Sequence, residues 1–131
     1  MKYFTFDELS RSETAKRQGI DNTPSSAAKS NIAALVDNIL DPLREAWGKP
    51  IYVNSGYRCP ALNKAVGGAS SSQHLTGQAA DITTGNKVDN AKLFQLAIDL
   101  KLPFDQIINE QNFSWLHISY SPRHRRQILK L

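Results

Sequence analysis

Ser71-Ser72-Gln73-His74-Leu75-Thr76-Gly77-Gln78-Ala79-Ala80-Asp81-Ile82-Thr83 decides the fold, read together with Trp115-Leu116-His117-Ile118-Ser119 further along. His74 and Asp81 lie seven residues apart, but Gly77 and the alternation that follows favour a loop entering a strand over one helix face. On that strand Asp81 shares a face with Ala79 while Ile82 points the other way. In the second stretch Trp115, His117 and Ser119 occupy one face, and Leu116 and Ile118 the other. If the two strands are neighbours, Asp81 and His117 project toward one point and His74 closes the set from its loop.

Outward from this pair, Thr23-Pro24-Ser25-Ser26 reads as a helix start, with a capping residue and a proline tolerated in the first turn. Ile32, Leu35, Val36, Ile39, Leu43 and Trp47 recur at helical spacing and predict a helix from about Ser26 to Trp47. Pro42 should remove the hydrogen bond to Asn38 and kink that helix near Asp41. Residues 1–26 read as irregular apart from a helical turn at Asp7-Glu8-Leu9. Short strands are expected at 51–54, 79–83, 104–109, 115–120 and 127–131, a short helix over 60–66 and a longer one over 89–101. No repeat, low-complexity segment or linker divides the chain, so residues 1–131 are expected to form one domain. The order implies an α+β fold, a small and mostly antiparallel sheet with helices packed on one face.

Composition is that of an ordinary globular chain, with 40% hydrophobic and 21% charged residues. Sixteen basic against twelve acidic residues give +4, which suits an anionic environment without naming it. Much of the excess sits in Arg123-His124-Arg125-Arg126 and Lys130, where a charge run reads first as a solvated end. No stacking pattern or recognition motif supports a nucleic-acid partner. No apolar run approaches the ~20 residues of a membrane span. The opening Met-Lys-Tyr-Phe-Thr-Phe-Asp-Glu does not read as a signal peptide, because acidic residues precede any apolar run. Synthesis in the cytoplasm and release by another route are therefore expected. The single cysteine, Cys59, excludes an internal disulfide or multi-cysteine zinc finger and reads as a turn residue before Pro60.

Each residue of the His74, Asp81 and His117 set has an ordinary alternative when taken alone. Asp81 reads equally as a strand aspartate beside an arginine, and His117 as a satisfied core histidine. Together, two imidazoles and one carboxylate form a common zinc set that keeps a fourth position open. An inward carboxylate among small and apolar residues is costly unless it is paired or metal-bound.

The pattern Ser72-x-His74-x-x-Gly77-x-Ala79-x-Asp81, followed by Trp115-x-His117, resembles the zinc-dependent D-alanyl-D-alanine peptidases of the M15 type, including domains of phage endolysins. The resemblance extends to Ser55-Gly56-Tyr57-Arg58, the Asn63–Gly68 stretch, Phe4-Thr5-Phe6-Asp7-Glu8-Leu9 and Asp41-Pro42-Leu43-Arg44. It implies a hedgehog/DD-peptidase-like fold with His74, Asp81 and His117 as Zn2+ ligands. Arg58, sixteen residues before the first of these, matches the substrate-binding arginine. A planar guanidinium there would hold a carboxylate or polarise the scissile carbonyl. Tyr57, Ser72, Gln73 and Trp115 are expected to line the substrate site. Many such enzymes carry an acid three positions before the last histidine, where this chain has Ser114. Glu110 is the only carboxylate in the segment before His117 and is the candidate general base, with an exposed loop glutamate as its alternative; His124 is a weaker candidate.

The resulting expectation is a monomeric zinc metallopeptidase acting on peptidoglycan stem peptides, as a carboxypeptidase or an endopeptidase, in a phage or prophage lysis setting. The alternative is a zinc-stabilised wall-binding or virion-structural module that has lost its base.

Overall fold

Five strands make one sheet: β1 (Tyr52–Ser55), β2 (Ala79–Thr83), β3 (Gln106–Glu110), β4 (Trp115–Ser119) and β5 (Gln127–Lys130). Their spatial order is β1-β2-β4-β3-β5 in a computed structural model that describes all of Met1–Leu131. The three inner pairings are antiparallel, and β5 lies parallel to β3 along the far edge. The sheet is therefore mixed, and mostly antiparallel as expected. The strands at Asp81 and His117 are indeed neighbours, with those two residues directly opposite each other in register.

Register sorts the side chains. Val53, Ile82, Leu116 and Asn109 form one row, and Ala80, Ile118 and Ile107 another, all on the face turned to the helices. Ile82, Leu116, Ile107 and Ile118 are fully buried there against Ile32, Leu35, Ile39, Leu40 and Leu43 from the long helical segment and Leu93 and Ala97 from a second helix. Burial of this kind is worth about 1.5–3 kcal/mol per large side chain, which makes this face the main source of stability. The opposite face carries the row Ser55, Asp81, His117 and Ile108.

The first long helix runs as α2 (Ser26–Leu35), a π-helical segment Val36–Leu40 and α3 (Asp41–Trp47), with Ser25 as N-cap. The irregularity expected from Pro42 is present, but it spreads upstream as a π turn: the Asp41 N–H reaches back to Val36 C=O. A π insertion is a known way for a helix to absorb such a break. Helix α5 (Lys87–Asp99) is capped by Asn86 and starts two residues earlier than the apolar spacing indicated. Helix α4 (Pro60–Ala65) is capped by the Cys59 side chain, the turn role read for that cysteine.

Two elements depart from the sequence reading. Helix α1 (Glu13–Gln18) falls in a region read as irregular; its Ser12 cap, Glu13 in the first turn and Gly19 at the end are visible signals, but six residues are too few for periodicity to register. The basic tail is only partly a solvated end. Arg126 donates to Leu102 C=O and lies over the Phe104 ring, while Arg125 is bound to Asp105.

Candidate active site

Asp81 is the centre of the polar row. Its Oδ1 lies 3.0 Å from His117 Nδ1 and 3.3 Å from His74 Nε2, and its Oδ2 lies 3.7 Å from Arg58 Nη2. Burial alone would raise the Asp81 carboxyl, but the His117 and His74 rings beside it outweigh that and hold the group well below the usual carboxylate range.

His74 arrives on a 3-10 turn, Gln73–Thr76, where a plain loop was expected. Ser72 caps the turn by accepting from the His74 N–H, and Gly77 closes it at φ +78°, a left-handed conformation that suits glycine. The turn is doubly tied to the segment after β1. Arg58 N–H donates to His74 C=O at 3.0 Å, and His74 Nδ1 lies 2.7 Å from Gly56 C=O. A carbonyl only accepts, so Nδ1 carries the proton and Nε2 presents its lone pair to the site. Gly56 makes this approach possible, since a Cβ there would run into the Leu9 backbone.

The three donor atoms lie within 4.8 Å of one another, and the set suits a metal ion. With Nδ1 protonated on a neutral ring, the His74 Nε2 lone pair faces the Asp81 carboxylate at 3.3 Å. Only a cation between them or a second ring proton resolves that opposition. A histidine ligand whose other nitrogen donates to a backbone carbonyl is the usual support for a bound metal.

The cluster opens into a cavity of about 610 Å³ whose walls include Arg58, Ser72, Gln73, Trp115 and Glu110. Five of the expected site residues therefore gather around the three ligand candidates. Tyr57 does not line this cavity; it faces an adjoining one of about 570 Å³ along β1 that shares Arg58. Arg58 is fixed by Ser55 Oγ at 3.1 Å and Asn63 Oδ1 at 3.3 Å, with burial lowering its pKa against the opposing pull of Asp81.

Glu110 reaches the site without a folded-back loop. It is the last residue of β3, on the same face as Ile108, which pairs with His117. Glu110 is therefore diagonal to His117 across the ladder, and it makes no ion pair. Burial raises its pKa, and the nearby His117 only partly opposes this. Ser114 instead closes the β3–β4 turn through Gln111 C=O, and His124 lies against Tyr120 outside the cavity.

Sequence reasoning missed the supports of this site. Gly56 fixes the His74 tautomer, Asn63 and Ser55 hold Arg58, and Asp105 binds Gln73 Nε2 at 3.0 Å while Gln73 Oε1 is buried without a partner. Gly56 to His74 and Gln73 to Asp105 span 18 and 32 positions, while Ser55 and Asn63 lie only three and five positions from Arg58, where nothing in the spacing names a guanidinium partner.

A family model described as Peptidase M15 matches residues 2–119. Over 86 residues, 64% of this chain, the sequence is 42% identical to the zinc D-Ala-D-Ala carboxypeptidase of Streptomyces albus G. The aligned part is 32% of that protein, so the chain spans about a third of its relative's length.

Proposed function

This chain belongs to the peptidase M15 family, and we propose that it is a zinc-dependent peptidase cleaving D-amino-acid-containing stem peptides of peptidoglycan. The observation that carries this reading is the His74–Asp81–His117 cluster facing a polar cavity with an unpaired carboxylate and an anchored arginine on its walls. When bound, zinc supplies Lewis acidity toward the scissile carbonyl and makes water nucleophilic near neutral pH.

The residues divide the remaining work. His74 Nε2, His117 Nδ1 and Asp81 would hold the metal; the Gly56 carbonyl keeps His74 in the tautomer that leaves Nε2 free for it. Glu110 accepts the proton of the attacking water and returns it to the leaving amine, a role suited to a carboxylate whose pKa is raised by burial. Arg58 binds the substrate carboxylate or stabilises the oxyanion, its guanidinium already oriented by Ser55 and Asn63. Trp115, Ser72 and Gln73 shape the binding wall. The bacterial wall is the place of action, and a phage or prophage lysis role suits it; cleavage is at a peptide terminus or within a cross-link.

Mass spectrometry of purified peptidoglycan incubated with the protein, with zinc or with a chelator, tests the reading. Zinc-dependent loss of D-alanine or release of cross-linked fragments is expected. An unchanged fragment pattern at saturating zinc would sink it and leave a non-catalytic wall-binding module.

A further inference from the structure

The segment between β4 and β5 is fastened to the sheet by one buried carboxylate. Asp105, just before β3, has no exposed side-chain surface. It accepts from Gln73 Nε2 (3.0 Å), Arg123 Nη2 (3.2 Å), Arg125 Nε (2.9 Å), Arg125 Nη2 (2.8 Å) and the Arg125 backbone N–H (3.1 Å). Two guanidinium groups thus meet one carboxylate, and one positive charge is left over.

The two arginines hold unequal shares. Arg125 grips Asp105 through two side-chain nitrogens and its backbone. Arg123 touches it through Nη2 alone, and its side chain is 59% exposed, so most of its five donors are free. Both line the cavity that holds the ligand cluster. Arg123 makes no ion pair with Asp81 or Glu110, the carboxylates on the cavity wall.

Topology places this charge. Arg58 follows β1 at one edge of the sheet, Arg123 and Arg125 precede β5 at the other edge, and Asp81 and His117 lie on strands between them. Arginines therefore stand at both ends of the cavity. The segment lies beyond residue 119, the last residue of the family match.

We propose that Arg123, oriented by Asp105 and Arg125, is a carboxylate-binding subsite that selects peptides carrying an acidic residue on the amino-terminal side of the scissile bond. This rests on the peptidase reading above, in which Arg58 serves the other end of the substrate. A guanidinium fork with free donors matches a carboxylate in two parallel hydrogen bonds, and the pinned Arg125 holds Asp105 in place so that Arg123 does not have to. Arg125 is a positioning residue; Arg123 makes the contact.

Two D-Ala-D-Ala-terminated peptides test this, identical except that one upstream residue is D-glutamate with a free carboxylate or its amide. Binding is measured by calorimetry with zinc-loaded protein carrying Glu110→Gln, and cleavage with the native chain. The carboxylate peptide is expected to bind about tenfold tighter, about 1.4 kcal/mol. Adding Arg123→Gln should bring it to the level of the amide peptide, and Arg123→Lys should restore part of the preference. In the native chain the Arg123→Gln loss should fall on KM rather than kcat. Equal affinity for the two peptides, no binding of either, or a preference that survives Arg123→Gln overturns the subsite. Selective binding without any hydrolysis would instead defeat the peptidase reading and leave the subsite standing.

Discussion

Leu116 and His117 are consecutive on β4, and they answer to different demands. Leu116 is fully buried on the face turned to the helices, between Ile82 and Asn109. His117 looks the other way, between Asp81 and Ile108, into the cavity. The strand's period of two sends one residue to cohesion and the next to chemistry. The same separation runs through β2, where Ile82 joins the core and Asp81 joins the cluster. Stability and reactivity are thus divided by a single peptide unit, and substitutions should respect the division.

The sharpest way to break the comparison is His117→Ala. It should abolish hydrolysis and stoichiometric zinc, read by metal analysis after dialysis, while the chelated protein unfolds within about 1 kcal/mol of the chelated parent, as for a residue outside the core. A large loss of metal-free stability would show that the cavity face also holds the fold together. Next in size is Glu110→Gln, expected to retain zinc and lose about 10²–10⁴-fold in kcat, the usual weight of a general base. If activity survives, proton transfer belongs to another group.

Leu116→Ala addresses the other face. Removing a fully buried leucine costs about 2–5 kcal/mol, readable as a lower urea midpoint. Zinc affinity and kcat of the protein that remains folded should be close to those of the parent. A fall in both would mean that the ladder transmits packing defects to the cluster.

The smallest expected effect is a pH dependence at Asp105. The hydrogen bond from Arg125 holds this carboxyl below its ordinary value, more than offsetting burial. A carboxyl depressed in the folded state adds stability that is complete above the unfolded value of about 3.9 and is lost as pH falls through the lower folded value. Stability of the parent should therefore decline below about pH 4 more steeply than that of Asp105→Asn. Parallel slopes in urea titrations across that range would remove Asp105 from the account.

Much of this division could be read in the chain itself. Alternation across Asp81-Ile82 and Leu116-His117-Ile118 marks both faces, and the spacing of Ile32, Leu35, Val36 and Ile39 marks the helix that covers one of them. Glu110 was legible as a candidate base, but not its route to the site, because that depends on the Ile108–His117 register and not on a folded-back loop. The parallel placement of β5 was not legible, since nothing in Gln127–Lys130 names its partner. Nor was the grip of Asp105 on Arg123 and Arg125, which joins residues 18 and 20 positions apart through side-chain geometry alone. Tyr57, expected on the substrate wall, lines the adjoining cavity instead, a placement that no spacing in the sequence marks.

The turn joining β3 to β4 carries Gln111, Asn112 and Phe113 in succession at φ +47°, +54° and +62°, held by Asn109 Oδ1 on the Phe113 N–H and by Asn90 on the Phe113 and Ser114 carbonyls. Three left-handed residues in a row make a hairpin of fixed length, and that length decides which side of the sheet each later residue occupies. Inserting or deleting one residue here would exchange the faces of β4, carrying Leu116 toward solvent and His117 toward the core. Substitutions in the turn are matters of degree, about 1 kcal/mol for each left-handed residue relieved by glycine. A change in its count is all or none. In a library that varies this hairpin, spelling should drift freely while length stays fixed.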